Sequence, residues 1–139
     1  MDKTSKDKHT LLAEWFPLKE TKHGIEWDKL PKISNGEVWW LAIGENMGVE
    51  INGKSNYFSR PVLVFKKLNH LGFMGIPLTT QTHTGSWYVN FRFQGKEVCA
   101  ALSQARVFST TRLYNRLGQI AEDDMAKIKD GFYELYFAE

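Results

Sequence analysis

The apolar positions change rhythm twice along the chain. Leu11, Leu12, Trp15 and Phe16 recur at helical spacing and are followed by Pro17, which predicts a short amphipathic helix that Ser5 can cap and Pro17 ends. Ile25, Trp27, Leu30 and Ile33 come next among alternating charges, so residues 1–34 read as a helical appendage laid on something apolar. From Gly36 the period shortens. Val38 to Ile43 and Pro61 to Phe65 are compact apolar runs rich in β-branched and aromatic residues, the mark of strands buried on both faces. Strands are also predicted over 72–79, over 86–94 (Trp87, Val89, Phe91 and Phe93 facing inward, Tyr88, Asn90, Arg92 and Gln94 outward), over 98–102 and over 105–108. Gln94-Gly95-Lys96 reads as the turn between two of them, and Ser109 or Thr110 as the cap of a short helical turn. The period lengthens again after Glu122-Asp123-Asp124, where Met125, Ile128, Phe132, Leu135 and Tyr136 mark one face of a C-terminal helix. Five or more short strands at this spacing predict a small antiparallel β-barrel, with helices added at both ends.

One segment resists the strand pattern. Residues 44–60 are polar and glycine-containing, too long for a tight hairpin, and a loop of that length in a compact domain usually serves a function.

Composition narrows the possible chemistry mainly by exclusion. A single cysteine among 139 residues permits no intrachain disulfide, and Cys99 in an apolar strand reads as a small core residue. His9, His23, His70 and His83 show no ligand spacing, so neither a metal site nor a cofactor is expected. Phosphate-loop, nucleophile-elbow and zincin motifs are absent. No run approaches the ~20 apolar residues of a membrane span, and the first nine residues lack the apolar stretch of an export signal; a soluble, cytoplasmic protein is expected. Nineteen aromatic residues suit core packing, base stacking or an interface alike.

Two polar clusters stand out beside the apolar runs. Ser59-Arg60-Pro61 lies where the long loop enters a buried strand, and the segment from Pro77 through Thr79, Thr80, Gln81 and His83 to Thr84 lies where the next strand ends. If these strands are antiparallel neighbours, Arg60 comes beside Thr79, and a guanidinium fork next to hydroxyls suits an anion. The alternative is an Arg60 paired at the surface with Glu37 or Glu50, with the threonines capping a turn.

Taken in order, Gly36-Glu-Val-Trp-Trp40, Gly44-Glu-Asn-x-Gly48-x-Glu50, Phe58-x-Arg60-Pro-Val-Leu-Val64, Pro77-Leu-Thr-Thr80, Leu102-Ser-Gln-x-Arg106, Arg112-Leu113 and Leu117-Gly118 resemble the MazF/PemK (Kid) family of toxin endoribonucleases. The resemblance covers residues 35–139. It implies an SH3-like antiparallel barrel with a C-terminal helix, a homodimer, and cleavage of single-stranded RNA at short sequences without a metal or cofactor. It also implies a cognate antitoxin, through which alone the toxin meets DNA. Carried onto this chain, it makes Arg60, Thr79 and Glu50 the catalytic set, with Glu50 as base, Arg60 stabilising phosphoryl charge and Thr79 donating a hydroxyl. Thr80, Gln81, His83, Gln104, Tyr57 and Phe58 become RNA contacts; Tyr88 also lies beside the site, whereas the alternation assigns Trp87 to the core. Ser103 stands where several members carry an acidic residue. The loop before Arg60 is longer than in compact members, and residues 1–34 have no counterpart in the minimal pattern. A non-catalytic binder on the same barrel, such as a gyrase poison, and an SH3-like adaptor are the competing readings.

The formal charge of +2 hides an uneven distribution. Residues 1–34 carry 7 basic and 6 acidic groups, residues 35–121 carry 9 and 4, and residues 122–139 carry 2 and 6. The central segment is therefore basic, which suits an RNA backbone or an acidic protein tail.

Overall fold

A computed structural model describes residues 5–138; residues 1–4 of the appendage and Glu139 at the end of the C-terminal region lie outside the described residues. Helix α1 spans Lys8–His23. Its cap is Asp7 rather than Ser5, the Asp7 carboxylate accepting the Thr10 amide at 2.8 Å. Pro17 lies inside the helix instead of ending it; the ring removes one amide donor, and the turns on either side continue. Leu11 and Trp15 are buried, while Leu12 and Phe16 face outward, because the surface beneath α1 is narrow. That surface is Ala42 and Phe58, with the Trp15 and Phe58 ring centroids 5.6 Å apart. Gly44 permits the approach: with φ of +92°, it would place a Cβ about 2.5 Å from the Trp15 ring.

Seven strands follow: β1 (Glu37–Ala42), β2 (Ser59–Asn69), β3 (Gly72–Thr79), β4 (Tyr88–Phe93), β5 (Lys96–Ala101), β6 (Arg106–Ser109) and β7 (Leu113–Gln119). All pairings are antiparallel, in the order β4-β5-β3-β2-β1-β7, with β6 also on β3. The path is open, with no ladder joining β4 to β7, so the expected barrel is an incompletely closed sheet. One side-chain bond spans the ends: Gln94 Nε2 donates to the Leu117 carbonyl at 2.8 Å. Gln94 and Gly95, both at positive φ, form the two-residue turn between β4 and β5.

The sheet divides the core in two. Trp39, Leu41, Val62, Val64, Phe73 and Phe108 pack on one face, together with Ile33 from the segment before β1. Val38, Leu63, Ile76, Leu78, Phe91 and Ala100 pack on the other. Alternate residues of β1 and β2 thus enter different clusters, which is why both strands read as continuous apolar runs. Helix α2 (Glu122–Tyr136) closes the second cluster with Ile128 fully buried and Met125, Phe132 and Leu135 beside it, with Glu122, Asp123 and Asp124 in its first turn. Ser109 caps the short turn Thr110–Arg112. Trp87 departs from the alternation: β4 begins one residue later, and the Trp87 side chain is 56% exposed.

Candidate active site

The incomplete closure leaves a cavity of about 350 Å³ between the two ends of the sheet. Residues of β1, β2, β3 and the β4–β5 hairpin line it, and Leu117 of β7 completes the wall.

The β2–β3 register carries Arg60 and Thr79 to this mouth. Val62 pairs with Pro77 at the end of that ladder, and just beyond it Arg60 runs opposite Leu41 of β1 while Thr79 runs opposite Cys99 of β5. Both line the cavity, as the sequence reading expected. Arg60 is aimed by the long loop, its Nε donating to the Asn52 carbonyl at 2.8 Å. Burial lowers the guanidinium pKa from its ordinary value, and among the described residues no carboxylate pairs with it. The alternative surface pairings are therefore absent: Glu37 bonds Arg116, and Glu50 accepts the Met47 amide. Thr79 is 8% exposed, and its Oγ1 accepts the Gln81 amide at 3.2 Å, which leaves the hydroxyl proton free to donate.

The charged side chains of the lining are Lys54, Arg60 and Lys96, and its hydroxyls belong to Ser55, Ser59, Thr79 and Thr80. Lys54 and Lys96 were not singled out from sequence, because single lysines beside turns carry no signal until the fold gathers them. Three cations with four hydroxyls and no carboxylate make an anion site suited to phosphate oxygens.

The other candidates lie in different settings. Glu50 is exposed on the tip of the loop, capping the turn Met47–Glu50 outside the cavity lining. Gln104 commits both ends of its amide to that loop, accepting from the Ile51 amide at 2.8 Å and donating to the Val49 carbonyl at 2.9 Å; it shapes the loop rather than presenting a free edge. Phe58 is 2% exposed beneath Trp15 and belongs to the core, so it offers no stacking face. Tyr57 is 64% exposed against the edge of Tyr114 and borders a shallow depression that shares Trp40 and Ser59 with the main cavity. Gln81 is exposed beyond Thr80, and His83 stacks on Tyr88 with centroids 4.5 Å apart. Cys99 is a buried thiol on β5 opposite Thr79, its pKa raised by burial. Among the described residues no group of three His, Cys, Asp or Glu side chains gathers as metal ligands, and no helix is long and apolar enough to cross a membrane.

Comparison with known proteins adds a family and a fold. Residues 34–136 match the family of PemK-like, MazF-like toxins of type II toxin-antitoxin systems. No curated protein sequence matches significantly. Among solved structures, MazF from Deinococcus radiodurans superposes with a TM-score of 0.62 at 19% identity, covering 78% of this chain and 97% of that one. The MazE-MazF complex from the same organism gives 0.59 at 16% identity, covering 81% and 100%. An endoribonuclease in complex with its cognate antitoxin from Mycobacterial species gives 0.58 at 15% identity, covering 73% and 92%. At these identities the likeness is one of fold.

Proposed function

Since the chain belongs to the PemK-like, MazF-like toxins of type II toxin-antitoxin systems, we propose that it is the toxin of such a pair and an endoribonuclease cleaving single-stranded RNA. The observation that carries this reading is the mouth of the open sheet, where Arg60, Lys54 and Lys96 meet four hydroxyls with no carboxylate in the lining. An anion bound there finds counter-charges and donors already in place, and fixed donors in a partly desolvated site are worth most where charge develops.

The reaction proposed is transesterification. The 2′-oxygen of one nucleotide gives its proton to solvent and attacks the adjacent phosphorus, the bond to the 5′-oxygen of the next nucleotide breaks and that oxygen takes a proton from solvent, and the products end in a 2′,3′-cyclic phosphate and a 5′-hydroxyl. Arg60 neutralises charge growing on the phosphoryl oxygens, and Thr79 donates a hydrogen bond from its hydroxyl to one of them. Glu50 as base draws no support from its place on the loop tip, so the rate is assigned mainly to charge stabilisation at Arg60 and Thr79. Unpaired RNA fits because Thr80 in the lining and Tyr57 on the adjoining depression are exposed, where splayed bases could meet them.

A cognate antitoxin as inhibitor, a homodimer, DNA contact only through the antitoxin and a cytoplasmic location complete the proposal. Exposed Met47 and Val49 on the loop, Tyr133 on α2 and Phe137 just after it offer apolar surface for protein contacts.

The test is direct. Purified protein incubated with a long single-stranded RNA in EDTA should yield fragments with 2′,3′-cyclic phosphate ends. RNA left intact at high protein concentration would overturn the enzymatic reading and favour a non-catalytic binder.

A further inference from the structure

A second cationic cavity, of about 120 Å³, lies where α1 meets the turn after β6. Lys19, Lys22 and His23 contribute from the helix, and Ser109, Thr111 and Arg112 from the turn. Among the described residues Lys19, Lys22 and Arg112 take part in no ion pair. The fold holds two of them in place with backbone oxygens: Lys22 Nζ donates to the Leu113 carbonyl at 2.9 Å, and Arg112 Nη1 to the Ala42 carbonyl at 2.9 Å. Burial lowers the pKa of both, and the like charge of Arg106 adds to the effect at Arg112. Each still has spare donors, and of the Ser109 and Thr111 hydroxyls, bonded to each other at 2.8 Å, one keeps a free proton. Partly buried cations without an acid partner are costly on their own, and a bound anion would relieve that cost.

The position of this cavity indicates the anion. Lys22 Nζ lies 3.8 Å over the Tyr114 ring, and Tyr114 meets Tyr57 edge-on at 6.0 Å. The two tyrosines border the depression that shares Trp40 and Ser59 with the Arg60 cavity. A continuous track therefore runs from cations to aromatic rings to cations, the alternation that a single nucleic-acid strand presents as phosphate, base and phosphate. An acidic protein segment has no use for the rings between.

We propose that Lys19, Lys22 and Arg112 bind a backbone phosphate of the RNA strand on one side of the bond cleaved at Arg60, with the exposed Tyr57, backed edge-on by Tyr114, as the stacking face between. This rests on the RNA-cleaving reading above. Residues 8–23 lie outside the segment matching the toxin family, so the extension lengthens the strand-binding track of this chain.

The probes are mixed-sequence, uncleavable 2′-O-methyl single strands of about 5 and about 15 nucleotides, bracketing the strand lengths that single binding modules cover. Anisotropy titration of the full chain across a salt series gives affinity and slope. Lys19→Gln with Lys22→Gln should weaken the longer strand about tenfold and reduce the magnitude of its salt slope by about 0.7, the value for one lost phosphate contact. The short strand and the cleavage of short substrates should be unchanged. If the pair compromises folding, the exposed single change Lys19→Glu gives the same reading. An unaltered slope with cleavage intact would overturn the proposal and leave the enzyme standing, whereas no cleavage and no binding of either strand by the unsubstituted protein would overturn the function itself. Loss of binding to a polyglutamate peptide with RNA binding unchanged would also overturn it and assign the cluster to an acidic protein partner.

Discussion

Arg60 and Thr79 are held by different means. Arg60 depends on the loop through Asn52, whereas Thr79 is fixed by the β3–β5 pairing and the Gln81 amide. Arg60→Ala and Thr79→Val should each slow RNA cleavage at least ~100-fold, the scale for losing one transition-state donor, with unfolding midpoints close to the parent. Arg60→Lys should recover only part of the loss, since an ammonium keeps the charge but not the fork. Glu50→Gln should stay within about tenfold of the parent, because an amide oxygen can still accept the Met47 amide and the carboxylate is absent from the cavity; a loss near that of Arg60→Ala in the same assay would restore Glu50 as the base. At this scale the sequence is informative where strand position decides the outcome, as for Arg60 and Thr79 at one cavity. It says nothing of the directions of Phe58, Glu50 and Gln104, which depend on loop bonds and on a helix about forty residues from Phe58.

Among the elements, β7 was the strand missed from sequence. Leu113–Gln119 pairs only with β1, and the segment Tyr114-Asn115-Arg116 shows neither alternation nor an apolar run, since an edge strand half in solvent needs neither. Its attachment to β1 includes one ion pair. Burial alone would raise the Glu37 carboxyl pKa, but hydrogen bonds from the Ser34 amide, Arg116 Nε and the Trp39 indole outweigh this and hold it below the ordinary glutamate value. A carboxyl lowered in the folded state adds stability above its unfolded pKa, and that stability is lost as pH falls through the folded value. Denaturant midpoints should therefore fall as pH drops below about 4.3. Glu37→Gln should lower the midpoint at pH 7 and flatten this part of the acid limb; parallel curves for the two proteins would remove Glu37 as a source of acid lability.

For the whole molecule, the helical extension and the basic strand region were legible, but the open mouth was not. Closure depends on whether β4 reaches β7, and that is settled by sheet curvature and by the Gln94–Leu117 contact, neither of which leaves a mark on hydrophobic period. The extension was expected to lie on something apolar, and it covers Ala42 and Phe58 with Leu11 and Trp15. Ile33, by contrast, is buried in the main cluster, so the covering helix can be separated from the core only upstream of it. Burying two large side chains contributes roughly 3–6 kcal/mol before the entropy of ordering the helix is counted, against a typical total of about 5–15 kcal/mol. A chain begun at Gly24 keeps Ile33 and loses that cover. Its thermal midpoint should drop by about 10 °C or more and its binding of an apolar dye should rise, with Trp15→Ala producing a smaller shift in the same direction. Cleavage of short RNA below the new midpoint should persist, because Arg60, Thr79 and the Asn52 and Gln81 groups that they bond lie in the retained part. A midpoint equal to that of the full chain would mean that α1 contributes nothing to stability, leaving the cationic cavity it borders as the reason for its presence.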